Sequence, residues 1–165
     1  MKLAVGTVVA YPPHGVGRIA ARERRHVLGI EQEVVVLELA SDFSVTLTLE
    51  RALEHLRPLV DEAGLRQVRD TLRADEVVPD EIWSTRLKST QAKLRAGDPC
   101  ALAEIVRDGA RRERAKASGG GPRLSVSERS LWLKARELLS EEIRAVRGLD
   151  RAGADAWIDR QLASP

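Results

Sequence analysis

The first 50 residues of the chain alternate between short apolar runs and turn signals, a pattern typical of β-strands. Residues 45–49 alternate with a period of two, as in a strand with one buried face. Residues 32–40 hold a near-continuous apolar run, which suits a strand buried on both faces. Leu28-Gly29 and Ser41-Asp42 supply turn signals between the runs. The predicted strands cover residues 3–11, 15–21, 32–40 and 45–49. We therefore expect four to five short strands in a small antiparallel barrel or barrel-like sheet.

Beyond Pro58 the apolar positions recur with the period of a helix. Each predicted helix start carries a capping residue or a proline, namely Asp61, Pro79 with Asp80, Asp98 with Pro99, Ser125 with Glu128, and Asp150. Three consecutive glycines at 119–121 predict a loop before the fourth of these helices. The change of period predicts an α+β fold, with a β domain over residues 1–58 and an all-α domain of about five helices over 59–165.

Composition narrows the class of protein. The chain has 165 residues, of which 43% are hydrophobic and 32% charged, enough for a folded core in one domain or two small ones. No apolar run approaches the roughly 20 residues that span a bilayer, and the N-terminus lacks the apolar region of a signal peptide. A single cysteine, Cys100, excludes an internal disulfide framework. We expect a cytoplasmic protein with no membrane partner.

The charge is unevenly distributed along the chain. Residues 82–136 hold 13 Lys and Arg against 5 Asp and Glu, a net charge of +8. The flanking segments are nearly neutral, with −1 over residues 1–66 and −2 over residues 137–165. A basic middle segment suits a polyanion such as nucleic acid. The same basic segment also suits ordinary solvated helix faces, because Lys and Arg are good helix formers. Charge alone therefore leaves both interpretations open.

Motifs for catalysis are missing from the sequence. It contains no glycine-rich phosphate loop or dinucleotide fingerprint, and its three histidines (His14, His26 and His55) lie far apart. One cysteine cannot complete a zinc site of normal ligand spacing. Cys100 near a helix start could be a nucleophile, but no base or oxyanion motif accompanies it. We expect no enzyme activity, no metal and no cofactor.

The chain has three tryptophans, all in its helical half. Trp157 lies beside apolar neighbours and predicts core packing, and Trp132 predicts a place in the core or at its edge. Trp83 shares a helical face with Leu87 and Leu94, which favours the core. It also falls in the first turn of its helix near Arg86 and Lys88, as an exposed wedge against unstacked bases in a DNA minor groove would.

A series of short motifs resembles the CarD/CdnL family of transcription regulators, whose N-terminal module is shared with transcription-repair coupling factor. Each motif is short, but the series runs in order over nearly the whole chain. The matching segments are VGTVV (5–9), YPPHGVG (11–17), LRPL (56–59), EAGL (62–65), IWSTRLK (82–88), GDP (97–99), AEIVRD (103–108) and SERSLWLKARELL (127–139).

The resemblance implies a Tudor-like β-barrel that binds the β subunit of bacterial RNA polymerase. It also implies a helical domain that contacts promoter DNA at the upstream edge of the transcription bubble and stabilises the open complex. Carried over by position, Trp83 would be the minor-groove wedge, and Arg86, Lys88 and Lys134 would contact phosphates. Arg25 at the base of the predicted hairpin would belong to the polymerase-docking surface. We expect a monomer that acts on DNA with little sequence preference.

This sequence departs from the family pattern in several places. Many members carry an arginine in the strand that holds Thr46 and Thr48 here, and Thr48 is the position we assign to polymerase docking. A second frequent arginine is Thr85, and glycines 119–121 lengthen a loop. The alternative hypothesis is therefore a diverged protein–protein interaction module with weak or no DNA binding. Exposure of Trp83 beside a positive face would distinguish the two.

Overall fold

The computed structural model describes residues 1–40, 42–75, 82–121 and 123–163. The chain divides into two compact units, an N-terminal unit (Met1–Leu59) and a C-terminal unit (Val60–Pro165). Among the described residues, the first unit holds an antiparallel sheet of five strands and one short helix, and the second holds five helices, so the α+β class is confirmed. No described helix has both the length and the apolar character needed to cross a membrane.

The sheet of the N-terminal unit has the strand order β4-β3-β2-β1-β5 and is antiparallel throughout. Its elements in chain order are β1 (Val8–Tyr11), β2 (Gly15–Val27), β3 (Ile30–Leu39), β4 (Ser44–Thr48), the helix α1 (Leu49–His55) and β5 (Arg57–Pro58). The sheet is open, so of the two predicted forms, a small barrel or a barrel-like sheet, the structure does not have the closed one. Closure would require β4 to pair with β5, but β5 is only two residues long and α1 separates the two strands in the chain.

The core of the N-terminal unit lies between the sheet and α1. Its buried residues are Leu3, Val9, Ile19, Val35, Leu37, Leu39, Leu47, Ala52 and Leu56. Gly17 is required by close packing, because a Cβ there would lie 2.8 Å from Cγ of Leu37. The β2–β3 hairpin turns at Leu28 and Gly29, both with positive φ, which suits a two-residue turn.

Three elements of this unit differ from the sequence prediction. Strand β1 begins at Val8, five residues after its predicted start at Leu3, because only Val8–Tyr11 pair with β2. Strand β2 continues to Val27, six residues beyond its predicted end, because β3 pairs with it along the whole hairpin. Helix α1 begins at Leu49, the last residue of the predicted strand 45–49, so that strand ends one residue early. Thr48 caps this helix, accepting a hydrogen bond at Oγ1 from the backbone N–H of Arg51 (3.4 Å). The segment LERALEH that follows is rich in good helix formers, so the alternation ends at Thr48.

The C-terminal unit contains α2 (Glu62–Arg73), α3 (Trp83–Ala96), α4 (Pro99–Ala117), α5 (Val126–Arg147) and α6 (Arg151–Ala163). The predicted caps Asp61, Asp98 and Ser125 are confirmed, each accepting a backbone N–H at its helix start. Asp150 likewise accepts from Gly153 N–H (2.7 Å). The predicted opening at Pro79 and Asp80 lies outside the described residues.

The core of the C-terminal unit is built from α2, α4, α5 and α6. Its fully buried side chains include Leu65, Val68, Leu102, Val106, Leu139, Ile143 and Ile158. Helix α3 contributes no buried residue, and Leu94 packs against this core only in part. Helix α3 therefore lies on the surface of the bundle, where its side chains are available to a partner.

Candidate nucleic-acid interface

The three tryptophans occupy different environments. Trp157 is 8% exposed and lies in the core, as predicted. Trp132 is half-buried and donates from Nε1 to the backbone oxygen of Val106 (3.1 Å). It packs so closely on α4 that a Cβ at Gly109 would lie 2.3 Å from its ring. Trp83 is 49% exposed. Of the three, Trp83 presents the most ring surface to a partner.

The Trp83 indole is held at its polar edge. Its Nε1 donates a hydrogen bond to Oγ of Ser125 (3.2 Å), the residue that caps α5. Because Trp83 is the first residue of α3, this contact brings the starts of α3 and α5 together. The indole is anchored through its N–H group while about half of the side chain stays accessible.

Arg86 joins the same two helices one turn further along α3. Its Nε lies 2.6 Å from Oε1 of Glu128, in an ion pair whose side chains are 19% and 6% exposed. Glu128 also completes the capping box of α5: it accepts from the Ser125 N–H at Oε2 (2.9 Å), and its own N–H donates to the Ser125 hydroxyl (3.2 Å). We call Trp83, Arg86, Ser125 and Glu128 the Trp83 cluster.

The electrostatics of the Trp83 cluster favour the charged form of Glu128. Burial on its own would raise the pKa of this carboxyl group. Hydrogen bonds from the Ser125 backbone, from Arg86 and from the Ser125 hydroxyl oppose it, as does the charge of Arg86. The net result is a pKa below the usual value of a glutamate. Glu128 is therefore an anion at neutral pH, and it partly balances the charge of Arg86.

The two predicted lysine contacts lie outside the Trp83 cluster. Lys88 is exposed on α3 and forms no ion pair within the part of the chain that the structure describes. Lys134 is exposed on α5, with its Nζ 2.9 Å from Oε2 of Glu137 one turn away. Trp83 and Arg86 thus both contact the start of α5, Trp83 through Ser125 and Arg86 through Glu128. It places Lys88 and Lys134 separately on the two helices that meet there.

Further basic residues lie at the same end of the helical unit. Helices α4 and α5 run antiparallel, since Glu113 pairs with Arg129 (3.9 Å) while Val106 meets Trp132. The last turn of α4 therefore lies at the end where Ser125 starts α5. Lys116 and Arg123 border this end, and neither forms an ion pair among the described residues. The net charge of residues 82–136 predicted such a surface without indicating which cations form it.

The predicted polymerase-docking residues lie on the sheet of the N-terminal unit. Arg25 is exposed on β2, three residues before the hairpin turn and not at its base, and its guanidinium contacts the Glu23 carboxylate. Thr48 is the half-buried cap of α1 and lies opposite Val34, which in turn pairs with Glu23. Because side chains alternate along a strand, this register puts Arg25 and Thr48 on one face of the sheet.

Cys100 is half-buried in the first turn of α4. Burial raises the pKa of its thiol, and the negative charge of Asp98 adds to this effect. A raised pKa keeps the thiol protonated at neutral pH, whereas a nucleophilic cysteine needs the thiolate. The described residues contain no group of three or more His, Cys, Asp or Glu side chains placed to hold a metal ion.

Comparison with known families matches both units of the chain. The family model described as "CarD-like/TRCF RID domain" matches residues 3–60, and the model described as "CarD, C-terminal domain" matches residues 67–159. A relative from Bacillus subtilis (strain 168), named "Putative transcription factor YdeB", is 28% identical over 150 residues. The aligned region covers 88% of this chain and 92% of the relative.

Proposed function

Because the chain belongs to the CarD family, and is thus a transcription-related regulator, we propose that it regulates transcription initiation by two separate contacts. In this proposal the N-terminal unit docks on the β subunit of RNA polymerase. The C-terminal unit contacts promoter DNA at the upstream edge of the bubble and stabilises the open complex.

The exposure of Trp83 is the observation that carries the DNA part of the proposal. A tryptophan left half-exposed at the start of a surface helix gives a flat apolar ring that can stack in a widened minor groove. The hydrogen bond to Ser125 holds the ring in one orientation, so little side-chain entropy is lost when it inserts. Inserted aromatic wedges favour DNA that is already unstacked, as it is at the edge of a bubble.

Cations around the ring would hold the DNA backbone. We propose Lys88 and Lys134 as phosphate contacts and Arg86 as a third, more restricted one, since its Nε already binds Glu128. Lys116 and Arg123 extend the basic surface at the same end of the helices. Phosphate contacts fix the position of a protein on DNA without reading its sequence, so we expect binding with little sequence preference and strong salt dependence.

The polymerase contact rests on the N-terminal unit, whose match to the RID model supports RNA polymerase as a partner. We propose that the sheet face with Arg25 and Thr48 takes part in this contact. Docking would raise the effective concentration of the helical unit at the promoter, because both units belong to one chain. A weak DNA site is then sufficient. Tighter binding to the open than to the closed complex shifts the equilibrium without any catalytic step.

One observation favours the alternative of a protein-interaction module. Two of the proposed phosphate contacts already face carboxylates, Arg86 with Glu128 and Lys134 with Glu137. These pairs lower the positive potential near Trp83. In that case the indole would meet an apolar surface of a partner protein and not DNA.

The deciding experiment measures the lifetime of RNA polymerase–promoter open complexes at two salt concentrations, with the wild type and Trp83→Ala. We expect the wild type to prolong the lifetime and Trp83→Ala to lose that effect while still binding polymerase. The matched control is Leu133→Ala, which removes another half-exposed apolar side chain of the same unit and should behave as the wild type.

Two results would contradict the proposal. If Trp83→Ala prolongs the lifetime as well as the wild type, Trp83 is not the wedge. If the wild type binds polymerase but leaves the lifetime unchanged at both salt concentrations, the interaction-module alternative is the better account.

A further inference from the structure

We propose that the outer face of α3, formed by Lys88, Gln91 and Arg95, follows the phosphate backbone of DNA, and that Arg95 is a further phosphate contact at its far end. This inference rests on the proposed DNA contact of the C-terminal unit and extends it. Helix α3 has 14 residues and is about 21 Å long. A contact at Arg95 therefore lies at the opposite end of the helix from Trp83.

The positive charges of α3 fall into two groups. The helix carries four cations and no Asp or Glu. Two of the cations contact carboxylates of neighbouring helices. Nε of Arg86 lies 2.6 Å from Oε1 of Glu128 on α5. Nζ of Lys93 lies 2.6 Å from Oε2 of Glu104 on α4. Carboxylates of the C-terminal unit itself thus compensate this first group.

The other two cations, Lys88 and Arg95, lie on the exposed side of the helix. Both side chains are exposed, and neither forms an ion pair with any described residue of the chain. They lie seven positions apart, close to two full turns, so they share one face at a separation of about 10 Å along the helix axis. Gln91 is exposed between them and adds the N–H donors of its amide without a negative charge. This second group is left for an anionic partner.

One carboxylate lies near Arg95 in the chain. Asp98 follows three positions later, but it caps α4, where its Oδ1 accepts a hydrogen bond from the backbone N–H of Ala101 (2.9 Å). The positive end of α4 offsets part of the charge of Asp98. Among the described contacts Asp98 forms no ion pair with Arg95. The guanidinium group of Arg95 therefore keeps its donors for a ligand.

The spacing of Lys88 and Arg95 suits the backbone of a nucleic-acid strand. Successive phosphates of one strand rise by about 3.4 Å along a DNA duplex, so cations about 10 Å apart on a rigid helix can each meet a phosphate of the same strand. An arginine can hold two oxygens of one phosphate through paired hydrogen bonds. Such contacts hold the helix on DNA without reading its sequence.

The test measures affinity for a promoter fragment by fluorescence anisotropy over a range of salt concentrations. Arg95→Gln should bind about tenfold more weakly than the wild type at low salt. It should also reduce the slope of log affinity against log salt concentration by about 0.9, the value of one phosphate contact. Arg95→Lys keeps the charge and should restore most of that slope.

Arg151→Gln is the matched control. It removes an exposed arginine of α6 that forms no ion pair with the described residues, and it should behave as the wild type. An arginine in the last turn of a helix can also serve only the negative end of that helix. Unchanged affinity and slope in Arg95→Gln would assign Arg95 to that role and overturn the inference. An equal loss in Arg151→Gln overturns it as well.

The outcomes separate this inference from the proposed function. If the wild type binds DNA and only Arg95→Gln fails to differ from it, the inference is wrong and the proposed function stands. A wild type that binds no DNA at any salt concentration overturns both. If Arg95→Gln binds DNA normally but binds polymerase more weakly, the outer face of α3 meets an acidic protein surface, which also overturns the inference.

A second measurement locates the two phosphates. Promoter fragments carry one neutral methylphosphonate in place of a single phosphate, at each position of either strand in turn. The position that weakens binding of the wild type but not of Arg95→Gln is the contact of Arg95, and Lys88→Gln identifies its own contact in the same way. We expect two positions on one strand, within about three nucleotides of each other. Contacts on opposite strands would contradict a helix that follows a single backbone.

Discussion

At the scale of single residues, the carboxylate of Glu128 connects the starts of two helices. It binds Arg86 on α3 and the backbone N–H of Ser125 on α5, and the Ser125 hydroxyl binds the Trp83 indole. The side chains of Glu128 and Arg86 are largely withdrawn from water, so each would be costly to leave without the other. The orientation of Trp83 therefore depends on residues more than 40 positions away in the sequence.

Replacing Glu128 by alanine should lower the free energy of unfolding by about 3 kcal/mol, because it breaks a largely buried ion pair with Arg86 and removes half of the capping box. Urea denaturation measures the change. Glu113→Ala, which breaks a 3.9 Å pair with Arg129, is the control and should cost less than about 1 kcal/mol. Equal losses in the two variants would show that the Glu128 contacts contribute no more than a surface pair.

The depressed pKa of Glu128 also predicts a pH dependence. The folded protein holds this carboxyl group ionised below the ordinary glutamate value of 4.5. Its contribution to stability is therefore complete above pH 4.5 and is lost as the pH falls toward the folded-state pKa. Urea denaturation at a series of pH values should show a smaller acid-side loss in Glu128→Gln than in the wild type. Parallel pH profiles would contradict this assignment.

At the scale of elements, the close contact between α4 and α5 at Gly109 sets their distance. The ring of Trp132 occupies the space where a Cβ of residue 109 would lie, and its Nε1 reaches the backbone of α4. A glycine within a helix normally lowers stability by about 1 kcal/mol relative to alanine. Here the packing of the ring explains why glycine is needed.

Gly109→Ala should therefore destabilise the protein by about 1–3 kcal/mol, despite the better helix propensity of alanine, because the Trp132 ring has to move. Thermal unfolding by circular dichroism measures the effect. Gly120→Ala is the control, since its nearest neighbouring atom would be 3.9 Å from the new Cβ, and it should leave the midpoint almost unchanged. A higher midpoint in Gly109→Ala would mean that propensity outweighs packing here.

The helices and strands also show which parts of the fold and of the candidate site could be predicted from the sequence. The predicted caps at Asp61, Asp98 and Ser125 are confirmed. Each cap involves residues no more than three positions apart, so the sequence signal for it is local. The full length of β2 and the start of α1 depend on pairing and packing with distant residues, and the pattern alone missed both. For Trp83 the helical period pointed to the core, but in the first turn of a surface helix the ring extends past the packed region.

At the scale of the whole molecule, the chain combines two units of different class, each with its own core. The positive charge concentrates in residues 82–136 of the C-terminal unit, whose net charge is +8, and the net charge of the whole chain, +2, conceals this. Overall charge is therefore a poor guide to the partner of either unit. The proposed division of tasks, one unit for polymerase and the other for DNA, predicts that salt acts mainly through the helical unit.

DNA binding by the whole protein should weaken steeply with salt. Each phosphate contact contributes about 0.9 to the slope of log affinity against log salt concentration, so Lys88→Gln with Lys134→Gln should reduce the slope by about two. Fluorescence anisotropy with a promoter fragment measures this. Lys2→Gln, an exposed lysine of the other unit, should leave the slope unchanged. An unchanged slope in the double variant would exclude both lysines as phosphate contacts.

The pairing of Arg86 with Glu128 has a consequence for how this protein can evolve. A mutation at one position breaks a largely buried ion pair, so we expect either change alone to be harmful and the two residues to be inherited together. Lineages that keep one and lose the other should be rare. In lineages where both residues have been replaced, other contacts should join α3 to α5. Correlated substitution at these two positions would thus show in which related sequences the Trp83 cluster has been kept.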